Sequence, residues 1–204
     1  MIGEFINVKI KGITSVVPKD VEDNIDYAEL VGEKRVKRQI KLTGVERRHV
    51  PNEYQKTSDL CTYAAEELIK KLDWNKDSIK YLILVTQIPD FEFPATSLLI
   101  QKRLGIGKDC LAFDVNLGCS GYVAGIQILS ALLQSNGGRG ILMVGDIEYR
   151  RLEERNSPEY ANQITDDMLF GAAATATAIE FEDGNRIDYM QNSNGEGYDV
   201  ILRK

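Results

Sequence analysis

Three short apolar runs constrain this chain more than any other feature: Tyr81-Leu82-Ile83-Leu84-Val85-Thr86, Leu111-Ala112-Phe113-Asp114-Val115 and Ile141-Leu142-Met143-Val144. Each has the length of a strand, and a run this continuously apolar belongs in a sheet covered on both faces. Helical spacing fills the gaps between them. Leu60 to Leu72 is amphipathic, with Cys61, Ala64, Ala65, Leu68, Ile69 and Leu72 recurring every three or four residues. Thr57, Ser58 and Asp59 just before it are candidate N-caps. Ala95 to Leu104 reads as a short helix stopped by Gly105 and Gly107, and Ser120 to Asn136 as a longer one ended by Gly137-Gly138. In the last of these, Val123, Ala124, Ile126, Ile128, Leu129, Ala131, Leu132 and Leu133 cover most of the circumference. Such a helix belongs inside a layered fold or at a subunit interface. Phe5 to Ile13 reads as a first strand, and Ala172 to Ile179 and Arg186 to Gln191 as two later ones. Strands alternating with helices predict an α/β fold with a mostly parallel mixed sheet, right-handed crossovers and a buried central helix, formed by residues 1–204 as one unit.

Composition removes several functions. Lys plus Arg is 25 and Asp plus Glu is 31, a net charge of −6, so a nucleic-acid partner is not expected. No apolar run approaches the roughly 20 residues of a membrane-spanning helix, so no membrane partner is expected. The start, Met1-Ile2-Gly3-Glu4-Phe5, lacks the features of a signal peptide. The three cysteines, Cys61, Cys110 and Cys119, are odd in number and have no CxxC spacing. That argues against a disulfide scaffold and a structural zinc site and for a reducing compartment, which predicts a cytoplasmic protein. His49 is the one histidine, so a mechanism needing two cannot run on this chain alone. Gly105-Ile106-Gly107 is no dinucleotide fingerprint. Asp166-Asp167 has no third ligand at a sensible spacing and reads as a loop or strand-entry pair. No metal and no cofactor are therefore expected.

The strongest chemical signal is Phe113-Asp114-Val115-Asn116-Leu117-Gly118-Cys119-Ser120-Gly121-Tyr122. A strand ends, a turn of small residues follows, and an apolar helix begins. Cys119 stands at the N-terminus of that helix, where unpaired N–H groups and the positive end of the dipole favour the thiolate. Gly118, Ser120 and Gly121 leave room for a carbonyl to approach, and the Cys119 N–H could help hold an oxyanion. The layout suits a nucleophile that becomes acylated. Cys61, on the apolar face of a helix, and Cys110, ahead of a strand read as buried, are expected to be structural.

Four segments in order resemble the N-terminal portion of β-ketoacyl-acyl carrier protein synthase III, a family of the thiolase superfamily. Thr43-Gly44-Val45-Glu46-Arg47-Arg48 is similar to its Thr-Gly-Ile-x-x-Arg segment, and Phe93-Pro94-Ala95 to its Phe-Pro-Ser/Ala segment. The Cys119 segment resembles its nucleophile turn, and Leu169-Phe170-Gly171-Ala172-Ala173 its Phe-Gly-Asp-Gly/Ala segment. The resemblance implies a thiolase-like layered fold. Cys119 would take an acyl group from acyl-CoA, and the acyl-enzyme would condense with malonyl-acyl carrier protein during fatty acid biosynthesis. It also implies a homodimer, in which Phe93 reaches across the interface to shape the partner's acyl pocket. Thr43 and the position of Arg38 fall in the family's CoA-binding region.

The chain departs from the family at three places. The family's catalytic set is Cys-His-Asn, with histidine and asparagine in the C-terminal half, and no histidine follows His49 here. His49 matches no catalytic position and reads as a surface or loop residue. A truncated chain, inactive alone, is the expectation. Arg38 and Leu42 stand where the family carries its adenine-stacking Trp and an Arg, and Gly171-Ala172-Ala173 lacks the family Asp. Two alternatives follow: an acyltransferase of specialised metabolism with a non-standard acyl donor, and a non-catalytic dimerising half-domain. The basic cluster Lys34, Arg35, Lys37, Arg38, Lys41, Arg47 and Arg48 admits two readings. It could attract CoA phosphates or an acidic carrier protein, or it could be a solvated charged face.

Overall fold

The computed structural model describes residues 1–147 and 167–200. Asp166 lies outside these residues. Five strands form one mixed sheet in the order β1-β7-β6-β4-β5: β1 (Ile2–Val16), β4 (Ile79–Val85), β5 (Leu111–Val115), β6 (Arg139–Asp146) and β7 (Ala173–Met190). β4 runs parallel to both β5 and β6, while β7 is antiparallel to both β6 and β1. Helices α3 (Thr57–Lys71) and α4 (Thr96–Leu104) cover one face, and α5 (Gly121–Asn136) covers the other.

The period of two along β4 explains its continuous apolar run. Leu82 and Leu84 face α3 and α4, packing with Leu68, Ile100, Leu104 and Met143. Tyr81, Ile83 and Val85 face α5, packing with Leu129, Leu133 and Leu142. The α5 backbone comes close to the sheet because glycines line its inner face. A Cβ on Gly125 would stand 2.6 Å from Leu142 Cδ1 and 3.2 Å from Val85 Cγ2, and one on Gly121 would run into Val85. Among the described residues α5 is covered on that side only. Val123 is exposed, and Ile126, Ile128 and Leu132 are half-buried.

Several elements differ from the sequence expectation. α3 begins at Thr57, so the candidate caps Thr57, Ser58 and Asp59 lie inside it. The Asp59 carboxylate accepts the Lys56 N–H at 2.8 Å, and Asp90, from another loop, accepts Ser58 N–H at 3.0 Å and Ser58 Oγ at 2.6 Å. β5 was expected to be buried but lies at the end of the sheet order, and its residues are exposed or half-buried. The two expected late strands are one, β7. Asp183-Gly184-Asn185 resembles a turn, yet Gly184 at φ 80° and Asn7 at φ 60° absorb the irregularity together, and Gly184 N–H donates to Asn7 Oδ1 at 3.1 Å. The β1–β7 register shifts between Ile6 and Val8 at the same place.

A satellite unit was not foreseen. β2 (Asp20–Asp23) pairs antiparallel with β3 (Arg47–Val50); between them run a 3-10 turn (Asn24–Tyr27), the short α1 (Ala28–Val31) and α2 (Glu33–Thr43). Tyr27 and Val36 pack with Met168, and Ile40 packs against them. Polar bonds add to this tie to the main body. Asn24 Nδ2 donates to the Met168 carbonyl at 2.7 Å. Arg48 Nε donates to Asn24 Oδ1 at 2.8 Å, and its Nη1 to the Phe170 carbonyl at 3.2 Å.

Candidate active site

β4 leads through α4 on one face to β5 at its side. β5 leads through α5 on the other face to β6 on the opposite side of β4. The two connections diverge at the C-terminal ends of the parallel strands, where open α/β sheets form a crevice. Cys119 stands in the turn between β5 and α5 at this divergence. It is the one exposed cysteine of the three, two residues before the first residue of α5. Gly121 N–H donates to the Gly118 carbonyl at 2.7 Å and closes the turn. The N–H groups of Cys119 and Ser120 donate to no described residue. They are the donors available to a group arriving at the thiol.

Two carboxylates fix the loops around this turn. Asp114, at the end of β5, accepts Thr96 N–H at 2.6 Å and Ser97 N–H at 2.9 Å, which caps α4. Asp146, at the end of β6, accepts Thr86 Oγ1 and Gln87 N–H, each at 2.7 Å, and Ile88 N–H at 3.2 Å. All three bonds converge on Oδ1, so the first residues after β4 are held from across the strand. Gln87 is thereby placed against the cysteine turn: a Cβ on Gly118 would stand 3.4 Å from Gln87 Nε2 and 3.8 Å from its Oε1. The sequence reading missed Gln87, Asp114 and Asp146 as site residues. Asp114 stands in the Cys119 segment but reads there as part of a strand, and no local motif marks Gln87 or Asp146, because each acts on a residue distant in the chain.

The other two cysteines are core residues. Burial, with the carboxylates of Asp146, Asp90 and Asp114 nearby, pushes the Cys61 thiol up. Burial pushes Cys110 up to about 11. Neither is available as a thiolate at neutral pH, which fits the structural reading of both.

The remaining predicted residues lie on other elements. Phe93 is in the loop between β4 and α4, with 90% of its surface exposed, so it is not packed in the core of this chain. Thr43 ends α2. Its hydroxyl donates to the Gln39 carbonyl at 3.0 Å and accepts Val45 N–H at 3.2 Å, forming the turn at Gly44, φ 73°. Arg38 is exposed on α2, and Leu42 is 71% exposed. Among the described residues, no hydrogen bond or core cluster joins Thr43 or Arg38 to the Cys119 turn. The basic cluster is smaller than its sequence suggests. Arg48 is buried among Asn24, Tyr27, Glu22 and the Phe170 carbonyl, and Lys37 pairs with Glu33. Lys34, Arg35, Arg38 and Lys41 remain as an exposed stripe. His49 is exposed on β3, with Nδ1 2.8 Å from the Pro18 carbonyl. Among the described residues there is no group of three or more metal-ligating side chains, and no helix is long and apolar enough to cross a membrane.

Residues 113–195 match the family model for 3-oxoacyl-[acyl-carrier-protein] synthase III. A β-ketoacyl-acyl carrier protein synthase III of Neisseria meningitidis is 31% identical over 175 residues, which is 86% of this chain and 52% of that protein. The crystal structure of a 3-oxoacyl-acyl carrier protein synthase from Burkholderia xenovorans superposes with a TM-score of 0.86 at 32% identity, covering 97% of this chain and 55% of that one. OleA of Xanthomonas campestris superposes at 0.76 with 20% identity, over 87% of this chain and 59% of that one, a likeness of fold alone. The chain spans about half the length of the relatives it matches.

Proposed function

From the homology of this chain to the β-ketoacyl-acyl carrier protein synthase III enzymes of the thiolase superfamily, we propose that it is the nucleophile-bearing part of an acyltransferase. The observation that carries the reading is Cys119, exposed at the start of α5 where the sheet connections diverge, beside two N–H groups that donate to no described residue. The Cys119 thiolate attacks the thioester carbonyl of an acyl-CoA. The Cys119 and Ser120 N–H groups face the oxyanion, and the intermediate collapses to acyl-Cys119 and the CoA thiolate. Malonyl-acyl carrier protein then loses carbon dioxide, its carbanion attacks the acyl carbonyl, and Cys119 is released. In the family this second step uses a histidine and an asparagine. His49, the one histidine of these 204 residues, lies on β3 and not at the Cys119 turn.

The exposed stripe of Lys34, Arg35, Arg38 and Lys41 supports a role in drawing in an acidic partner, either CoA phosphates or a carrier protein. Exposed Phe93 supports a homodimer in which it enters the partner's site. No cofactor is required by this chemistry, and the reading keeps a cytoplasmic location.

A second reading is favoured by Arg38 and exposed Leu42 at the family's CoA-clamp positions: a specialised acyltransferase with a different donor. The test is release of free thiol from acetyl-CoA, and from acetyl-acyl carrier protein, by the protein and by its Cys119→Ser variant. Release from acetyl-CoA that needs Cys119 supports the first reading. Release from the carrier-bound donor alone moves the second ahead. Release from neither leaves the non-catalytic dimerising half-domain.

A further inference from the structure

We infer that Gln87 determines which acyl group Cys119 accepts, favouring acyl chains that carry a hydrogen-bonding oxygen over plain hydrocarbon chains of the same length. The inference rests on the acyl-transfer reading and adds the substrate class to it.

The backbone at Gln87 is held from a distance. Three bonds converge on Asp146 Oδ1, at 2.7 Å from Thr86 Oγ1, 2.7 Å from Gln87 N–H and 3.2 Å from Ile88 N–H. Thr86 Oγ1 also accepts the Ile88 N–H at 3.0 Å. The cysteine turn is held equally closely on its other side, since Gly121 and Gly125 seat α5 directly on Val85, two residues before Gln87. These constraints bring the Gln87 carboxamide within van der Waals reach of a Cβ at Gly118, the residue before Cys119.

The carboxamide carries two donors and an acceptor, and it bonds to no described residue. It is exposed at the crevice, so it is not a core amide satisfied elsewhere. Beside it Gly118 offers no side chain to bond it. A hydrocarbon acyl chain entering here would desolvate the amide without replacing its water, whereas a hydroxyl or carbonyl on the chain would restore the lost bond. Sites that hydrogen-bond a substrate group reject analogues lacking it. Because Gln87 stands at an open rim, the selection is moderate, about tenfold for one neutral hydrogen bond.

The experiment loads Cys119 from 3-hydroxybutyryl-CoA and from butyryl-CoA, following acyl-Cys119 by peptide mass. The protein, expressed from its complete reading frame, is compared with Gln87→Met, which keeps length and removes the amide. The exposed carboxamide bonds to no described residue, so this variant folds as the parent does, and the melting temperature checks that. The expected result is about tenfold faster loading of the hydroxy-acyl group by the parent, falling to within about twofold of parity in Gln87→Met. Equal loading of both donors by the parent, or a preference that Gln87→Met leaves unchanged, overturns the role of Gln87 while acylation stands. Absence of loading from both donors overturns the acyl-transfer reading and this inference with it.

Discussion

Replacing Gly125 by Ala adds one methyl group to an exceptionally close helix–sheet contact. The new Cβ would stand 2.6 Å from Leu142 Cδ1, 3.0 Å from its Cδ2 and 3.2 Å from Val85 Cγ2. Carbon atoms meet comfortably at about 3.5–4.0 Å, so either Leu142 leaves its rotamer or α5 lifts by a few tenths of an ångström or more. Leu142 is fully buried, and overpacking of such a core costs about 1–3 kcal/mol. Alanine returns about 1 kcal/mol through its better helix propensity. The net expectation is a loss of up to about 2 kcal/mol, seen as a lower urea midpoint at unchanged slope. A cycle with Leu142→Ala tests the cause. That change removes the two closest of the three atoms, so the double variant should be more stable than the sum of the single losses by about 1 kcal/mol or more. A strictly additive cycle would refute the close seating of α5 on β4 and β6.

Other expectations follow from the polar contacts and the thiols. Arg48→Ala should destabilise by about 1–3 kcal/mol, because it removes the donor to the buried Asn24 Oδ1; a calorimetric melt matching the parent would show that the tie is dispensable. Stability should fall above pH 9, the ordinary value for Cys61, as the unfolded thiol ionises while the buried one stays protonated. The expected slope from this residue is about 1.4 kcal/mol per pH unit. Urea titrations at pH 8 and pH 10 should therefore differ less in Cys61→Ala than in the parent, and an unchanged difference would contradict the burial of that thiol. Iodoacetamide should label Cys119 in the native protein long before Cys61 or Cys110, which need unfolding; peptide mapping showing equal rates would contradict the placement of all three.

The parts of the fold visible in the sequence are those whose pattern is local. β5 matches the predicted residues, and α5 and α4 start within a residue of expectation, because apolar period and glycine stops are written along each segment. α2 escaped notice because it is mostly charged: Val36 is its one buried residue, and what it packs on includes Met168, far along the chain. β7 was divided because Asp183-Gly184-Asn185 has turn chemistry, and only pairing with Asn7 on β1 carries the strand through it. The site shows the same division. Cys119 was legible from a strand, a small-residue turn and a helix in succession. Gln87 was not, since its place beside Gly118 depends on a carboxylate 59 residues later. Arg48, counted with the surface cations, proved to be a buried tie, because Asn24, Tyr27 and Phe170 surround it only after folding.

The most direct test of the account is to find the acyl group. The protein is incubated with acetyl-CoA, quenched in acid and digested, and the peptides containing Cys61, Cys110 and Cys119 are weighed. The account predicts acetyl on the Cys119 peptide alone, and none in Cys119→Ser. Acetyl on another cysteine would contradict the assignment of Cys119 as the nucleophile, and acetyl on none would contradict acyl-CoA as its donor.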